Sequence, residues 1–322
     1  MSLLILCFSF IISLLAFYLL IPRLKKAGIT GKDMNKPGKP EISEMGGIGI
    51  ITGFSGGILL AIGFDTFTGD LFSNALKIQE LFAVLAMILL IGLIGIIDDL
   101  MHIRQSIKAI FPFFAAIPLA AIEAGYTIIK VPFIGHVDFK IFYPLFIVPL
   151  SVTVASNAVN MLAGFNGLEV GMGLMATGAL SVIAFTLYRP TTLIILMAAT
   201  GSLGAALIFN WYPAKIFVGD VGTLSIGAII ISAVVLGNFE TAGVIILIPY
   251  VIDFILKALN NFPKSFGKYN NGKLYCPGSR PVGLGQLIMK LTGGIKEYNL
   301  VLILMGFEAL CGFIAVLIFA KF

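Results

Sequence analysis

Ten long apolar runs dominate this chain, near 3–22, 45–64, 80–97, 109–124, 141–158, 170–188, 191–210, 223–237, 241–259 and 299–320. Most approach the roughly 20 residues that carry a helix across a bilayer. In lipid each backbone N–H and C=O must find its partner inside the protein, so continuous runs of this length can only be helices. Composition agrees: 59% of the 322 residues are hydrophobic and 11% charged, against roughly half and a quarter in soluble domains. The expectation is an all-α integral membrane protein of about ten transmembrane helices, forming a single polytopic domain over 1–322. Membrane lipid is its surroundings, and no nucleic-acid partner is expected.

Met1 to Leu20 lacks the basic start of a secretory signal, has a longer apolar run than a signal's core and is followed by Arg23, Lys25 and Lys26; it reads as the first membrane helix. Sixteen of the 21 Lys and Arg fall on four alternate loops, at 23–44, 98–108, Lys215 and 257–296. The positive-inside rule puts those loops in the cytoplasm and both termini outside. Cytoplasmic loops are thus expected near 23–44, 98–108, 159–169, 211–222 and 260–296, in a plasma membrane or endoplasmic reticulum. Between the fourth and fifth runs, β-branched and aromatic residues flank Gly135-His136, which predicts a short extracytoplasmic β-hairpin over Tyr126–Lys140. Cys7, Cys276 and Cys311 show no paired spacing, and His102 and His136 are far apart. Neither pattern supports a disulfide or a zinc site; any metal would take oxygen ligands.

Polar residues gather where the runs meet the cytoplasm. Asp98 and Asp99 close an apolar run, where the helix dipole is already negative; a solvated loop tolerates such a pair, and a bound cation or Lys108 would relieve it. Asn157 and Asn160 share one helical face before a Gly-rich turn. They either bond a neighbouring helix or complete the shell of an oxygen-liking ion such as Mg²⁺. Phe217-Val218-Gly219-Asp220-Val221-Gly222 sets one acid between glycines ahead of a helix, as a plain turn or as a place where backbone approaches phosphate. Arg280, in a Pro-bounded turn of the last basic loop, is a candidate phosphate or sugar contact; the other cations of that loop read as topology signals facing anionic lipid. Asp253 and Lys257, four apart, can neutralise each other, and Glu308 stands isolated within the last run.

In order along most of the chain, Gly31-Lys32-Asp33-Met34-Asn35-Lys36, the Asp98-Asp99 pair with Lys108, Asn157 to Glu169, and Phe217-Val218-Gly219-Asp220 resemble the polyprenyl-phosphate N-acetylhexosamine-1-phosphate transferase family. The likeness is closest to its dolichyl-phosphate GlcNAc-1-phosphotransferase branch, which starts N-glycan assembly. The resemblance implies that Asn160 and Asp220 hold Mg²⁺, with Mn²⁺ as a substitute. It implies that Lys32, Asp33, Met34, Glu44 and Asn166 contact UDP-GlcNAc, with Phe217 beside the uracil. Lys108 and the backbone from Thr153 to Met161, including Asn157, would hold the polyprenyl or dolichyl phosphate, and Asp98 and Asp99 would form the catalytic acidic pair. A homodimer is compatible with this reading. One segment departs: eukaryotic members carry Arg-His-Arg and bacterial ones histidines where this chain has Gly278-Ser279-Arg280, so Arg280 alone matches.

The implied reaction is attack of a lipid-phosphate oxygen on the β-phosphorus of UDP-GlcNAc, releasing UMP. Two anions must meet, so charge stabilisation by Lys108, Arg280 and the metal is the expected main contribution. Within the same class, an undecaprenyl-phosphate enzyme using another UDP-sugar is the alternative. A transporter or lipid flippase would share the composition but line a midplane path with polar groups.

Overall fold

The computed structural model describes residues 1–68, 76–101, 103–131 and 135–319. His102 and Lys321 lie outside them. The chain runs α1 (Ser2–Lys26), β1 (Thr30–Lys32), β2 (Glu41–Ser43), α2 (Gly47–Thr68), α3 (Ile78–Met101), α4 (Gln105–Lys108), α5 (Phe111–Ala115), α6 (Ile117–Ala121), β3 (Ile128–Val131) and β4 (Gly135–Asp138). A π-helical turn (Tyr143–Ile147) leads into α7 (Val148–Leu162), followed by α8 (Leu168–Thr186), α9 (Pro190–Asn210), α10 (Gly219–Gly237), α11 (Glu240–Ile246), α12 (Ile248–Ala258), β5 (Lys268–Asn270), β6 (Lys273–Tyr275), α13 (Leu284–Leu291) and α14 (Glu297–Phe319). The architecture is an all-α membrane bundle, as expected.

Eight of the described helices are long and apolar enough to cross singly, and α11 with α12, bent by 56°, makes a ninth span. The fourth apolar run, 109–124, behaves differently. Its longest helical stretch, Phe111–Ala121, rises only about 16 Å. Lys108 nevertheless touches Asp220 at the start of α10, while Gly125 packs on Val235 near its end. The segment between them therefore traverses the bundle as a broken helix, with Pro112 and Pro118 at the starts of its pieces, where proline's missing N–H costs least.

α10 is the axis of the bundle: every residue from Val221 to Gly237 is buried, and it packs on α2, α3, α7, α8 and α9. Without a hydrophobic effect between helices in lipid, close packing relies on small residues. Gly47 at the start of α2 sits so close to Gly222 that a β-carbon would lie 2.1 Å from its amide nitrogen, and Gly95 of α3 lies as tightly against Val221. Ser13 of α1 donates to the Gly49 carbonyl of α2 (3.0 Å) and to Ser202 O of α9 (3.2 Å), joining the three helices. Outward faces carry exposed Leu, Ile and Phe side chains throughout, as a lipid-facing surface requires.

β3 and β4 form the expected antiparallel hairpin, but in a different register. Gly135 and His136 lie within β4, paired with Val131 and Lys130, and the connection at 132–134 lies outside the described residues. The hairpin sits beyond the end of the bundle where Tyr143 donates to Glu240 (3.1 Å). The other two hairpins, β1–β2 and β5–β6, belong to the opposite, polar end, where α1 arrives and α14 departs.

Candidate active site

The polar end is assembled around the first turn of α10. Phe217 N donates to Ser43 O, Gly46 N to Phe217 O and Gly47 N to Val218 O, all at 2.8 Å, clipping the loop after α1 to the loop after α9. The first amides of α10 point at Asp99 of α3: Asp220 N donates to Oδ1 (2.9 Å) and Val221 N to Oδ2 (3.4 Å). Asp99 thus caps α10 from another helix, placing an anion at a positive helix end. Gly219 is required there twice over, since its φ is +66° and a β-carbon would lie 2.4 Å from Asp99 Oδ2.

Asp98 turns the other way. Its Oδ1 accepts from Ile103 N (2.9 Å) and its Oδ2 from Lys108 Nζ (2.6 Å). Lys108 also donates to Asp220 Oδ2 (2.6 Å), so one ammonium bridges two carboxylates. Burial disfavours that charge most, yet the bonds to Asp220 and Asp98 outweigh it and hold the Lys108 pKa above the usual lysine value. The expected relief of the acidic pair is therefore divided: Lys108 neutralises Asp98, and the α10 terminus neutralises Asp99. Each of the four oxygens of the pair accepts one hydrogen bond.

Asn157 of α7 donates to Ala109 O (2.9 Å), beside Lys108, and to Thr153 O (2.8 Å). α7 runs antiparallel to α10, touching it where Gly227 meets the Ala155 carbonyl. At 1.5 Å per residue, Asn160 lies roughly 7 Å and Asp220 roughly 10 Å from that contact toward the polar end. The two proposed metal ligands thus share one end of the bundle on adjacent helices. Asp220 is 22% exposed against 3% for Asp98, and among the described residues no group of three His, Cys, Asp or Glu gathers as a metal cage. A partly exposed carboxylate and an amide at the same end of the bundle fit a hard cation that keeps most of its water and phosphate ligands, as Mg²⁺ does.

A second network closes the neighbouring wall. The Lys32–Lys36 stretch alternates, with Lys32 and Met34 exposed and Asp33 and Asn35 buried. Asp33 Oδ2 accepts from Asn166 Nδ2 (3.1 Å) and stands 3.1 Å from Lys36 Nζ. Asn166 Oδ1 accepts from Ala214 N (2.9 Å) and Lys36 Nζ (3.2 Å). Asn35 donates to Gly164 O (2.7 Å) and accepts from Gly267 N (3.0 Å). For Asp33 and Asn166, which the resemblance has contacting the nucleotide sugar, the structure shows buried side chains bonded to one another and to these loops. Lys32 and Met34 are the residues of that stretch turned outward. Glu44 lies against Gly31, and Phe217 is half-buried.

Glu297 escapes the sequence reading, which starts the last helix at 299. Its carboxylate accepts from Asn166 N (2.8 Å) and from Lys36 Nζ, and Lys36 also lies 4.4 Å from the Tyr212 ring centroid. An acid in the first turn of a helix, three residues after the Gly293-Gly294 break, is the signal that marks it. Next to this wall opens a cleft of about 720 Å³. Lys39, Lys264, Lys268 and Arg280 line it, together with Met34, Tyr269 and Lys36, whose ammonium is already paired with Asp33 and Glu297; among the described residues no acid lines it. Arg280 is exposed on its rim. A cleft lined by one sign of charge concentrates anions.

Residues 81–238 match the model of the family described as "Glycosyl transferase family 4". A Saccharolobus solfataricus protein named "Putative UDP-N-acetylglucosamine–dolichyl-phosphate N-acetylglucosaminephosphotransferase" is 45% identical over 96% of this chain and 94% of its own length. The Dictyostelium discoideum UDP-N-acetylglucosamine–dolichyl-phosphate N-acetylglucosaminephosphotransferase is 30% identical over 94% and 85%. A Borrelia garinii phospho-N-acetylmuramoyl-pentapeptide-transferase is 32% identical over 69% and 70%. With its ordered motifs drawn to one end of a membrane bundle, the chain belongs to glycosyl transferase family 4, among the polyprenyl-phosphate N-acetylhexosamine-1-phosphate transferases.

Proposed function

We propose that this protein transfers GlcNAc-1-phosphate from UDP-GlcNAc to dolichyl phosphate, releasing UMP and leaving a dolichyl-diphosphate-GlcNAc, at the cytoplasmic face with both termini extracytoplasmic. The observation that carries the mechanism is the Lys108 ammonium held between Asp98 and Asp220. An ammonium has three donors; two are spent on carboxylates, and the third, without a partner among the described residues, is the one to hold an acceptor phosphate oxygen. That phosphate, with a second pKa near 6, is already largely dianionic at pH 7, so its oxygen attacks the β-phosphorus without a strong base. The α–β bridging P–O bond breaks, and UMP leaves with the electron pair.

Asp98 and Asp99 act as organisers, one fixing Lys108 and the other the α10 turn that presents Asp220. Arg280, Lys39, Lys264 and Lys268 would attract the diphosphate, while Lys32, Met34, Glu44 and Phe217 would contact the rest of the donor. When bound, Mg²⁺ on Asp220 and Asn160 would neutralise the diphosphate oxygens. The departure at Gly278-Ser279 leaves the sugar as the point to test. Purified protein offered UDP-GlcNAc, UDP-GalNAc and UDP-MurNAc-pentapeptide with dolichyl or undecaprenyl phosphate should form lipid-linked product fastest with UDP-GlcNAc and dolichyl phosphate. Preference for the muramoyl donor would overturn the assignment.

A further inference from the structure

Asp253 and Lys257 are buried and 2.9 Å apart on α12. A buried ion pair is a weak source of stability, because desolvating two charges offsets most of their attraction. This pair has other partners. The Lys257 ammonium donates to Met161 O, one of the last carbonyls of α7 and so among those a helix leaves unsatisfied. Asp253 Oδ1 accepts from Leu284 N (2.7 Å), the first amide of α13. A cation therefore meets a negative helix end and an anion a positive one. Gly283 is packed onto both: a β-carbon there would lie 2.9 Å from Asp253 Oδ1 and 3.3 Å from Lys257 Cε.

The two joined ends are those that bear on the reaction. α7 ends with Asn157 and Asn160, and Asn157 bonds the carbonyl beside Lys108. α13 begins where the turn carrying Arg280 ends, and that turn lines the basic cleft. We propose that Asp253 and Lys257 are positioning residues for the transfer, splicing the acceptor side of the site (α7 and Lys108) to the donor side (the 276–283 turn). The proposal rests on the function given above. Neither residue touches substrate; they set the distance between the groups that do, and a misplacement of about 1 Å costs on the order of a hundredfold in rate.

The test compares Lys257→Met, Lys257→Arg and the exchange Asp253→Lys/Lys257→Asp by steady-state kinetics and by hydrogen–deuterium exchange. Lys257→Met should lower kcat by about tenfold to a hundredfold, with both KM values within about threefold, and raise exchange in segments 158–166 and 281–290. Lys257→Arg, which keeps the cation at the α7 carbonyls, should restore both readouts. The exchange variant keeps a pair but sets like partial charges at each helix end, so it should fail as Lys257→Met does. A folded Lys257→Met protein with wild-type kcat, lost activity without raised exchange in those two segments, or an exchange variant with full activity would each overturn the proposal. Wild-type turnover in the same assay separates failure of the splice from failure of the functional reading, and the exchange arm reads the splice even without turnover.

Discussion

Replacing Lys108 by methionine removes a charge and keeps most of the volume, and the structure sets the cost. Asp98 Oδ2 and Asp220 Oδ2 each lie 2.6 Å from the same nitrogen. Without the ammonium, two carboxylates face each other within about 5 Å, a repulsion of roughly 3 kcal/mol at an effective dielectric of 20. That matches the roughly 3–5 kcal/mol lost when one partner of a buried pair is removed, taken at its low end because Asp220 is partly exposed. Wild-type Lys108, whose pKa is raised, contributes stability fully below the ordinary lysine pKa and loses it only as pH rises through the elevated value. The ammonium itself therefore stays charged at pH 8 and below. The variant should be destabilised by about 3 kcal/mol at pH 8, and less at pH 5.5, where one carboxyl takes up the missing proton. Its kcat/KM for dolichyl phosphate should fall at least about a hundredfold, in line with loss of a preorganised charge contact. Thermal unfolding in detergent at the two pH values, with acceptor kinetics on the same preparations, reads all three. Equal stability of variant and wild type at pH 8, or unchanged acceptor kinetics, would refute the bridge.

Asp220→Ala should abolish UMP release yet leave the protein folded, because Lys108 retains Asp98; wild-type turnover would remove Asp220 from the site. Gly219→Ala forces a side chain into a left-handed backbone position against Asp99 and should cost about 1–3 kcal/mol, seen as a lowered Tm; an unchanged Tm would contradict the cap geometry. Arg280→Ala, on an exposed rim, should raise KM for UDP-GlcNAc about tenfold through loss of one charge-assisted contact without moving Tm; unchanged KM would take Arg280 out of donor binding.

The spans and the polar end were legible in the sequence because lipid permits little else for long apolar runs, and Lys, Arg, Asp and Asn collect where those runs stop. The broken crossing through Phe111–Ala121 was less so: its composition is apolar throughout, and only the spacing of Pro112 and Pro118 hints that it divides. The β3–β4 turn was misplaced because Gly135 is a turn former by composition, whereas here its positive φ lies in a paired strand. The partners that Asn166 and Asp33 take in the fold were not legible. A polar side chain in a motif can face substrate or bind the loop behind it, and three-dimensional partners decide which. Glu297 could not be linked to Asn166 from spacing, since 131 residues separate them.

The central claim is that a phosphoryl group, not merely a sugar, crosses between two anionic partners at this end of the bundle. UDP-GlcNAc labelled at its β-phosphorus, incubated with the purified protein, dolichyl phosphate and Mg²⁺, tests it directly. The account predicts that the label moves into the lipid and that UMP appears unlabelled, in equal amount. A labelled UDP product with an unlabelled glycolipid would show sugar transfer alone and contradict it.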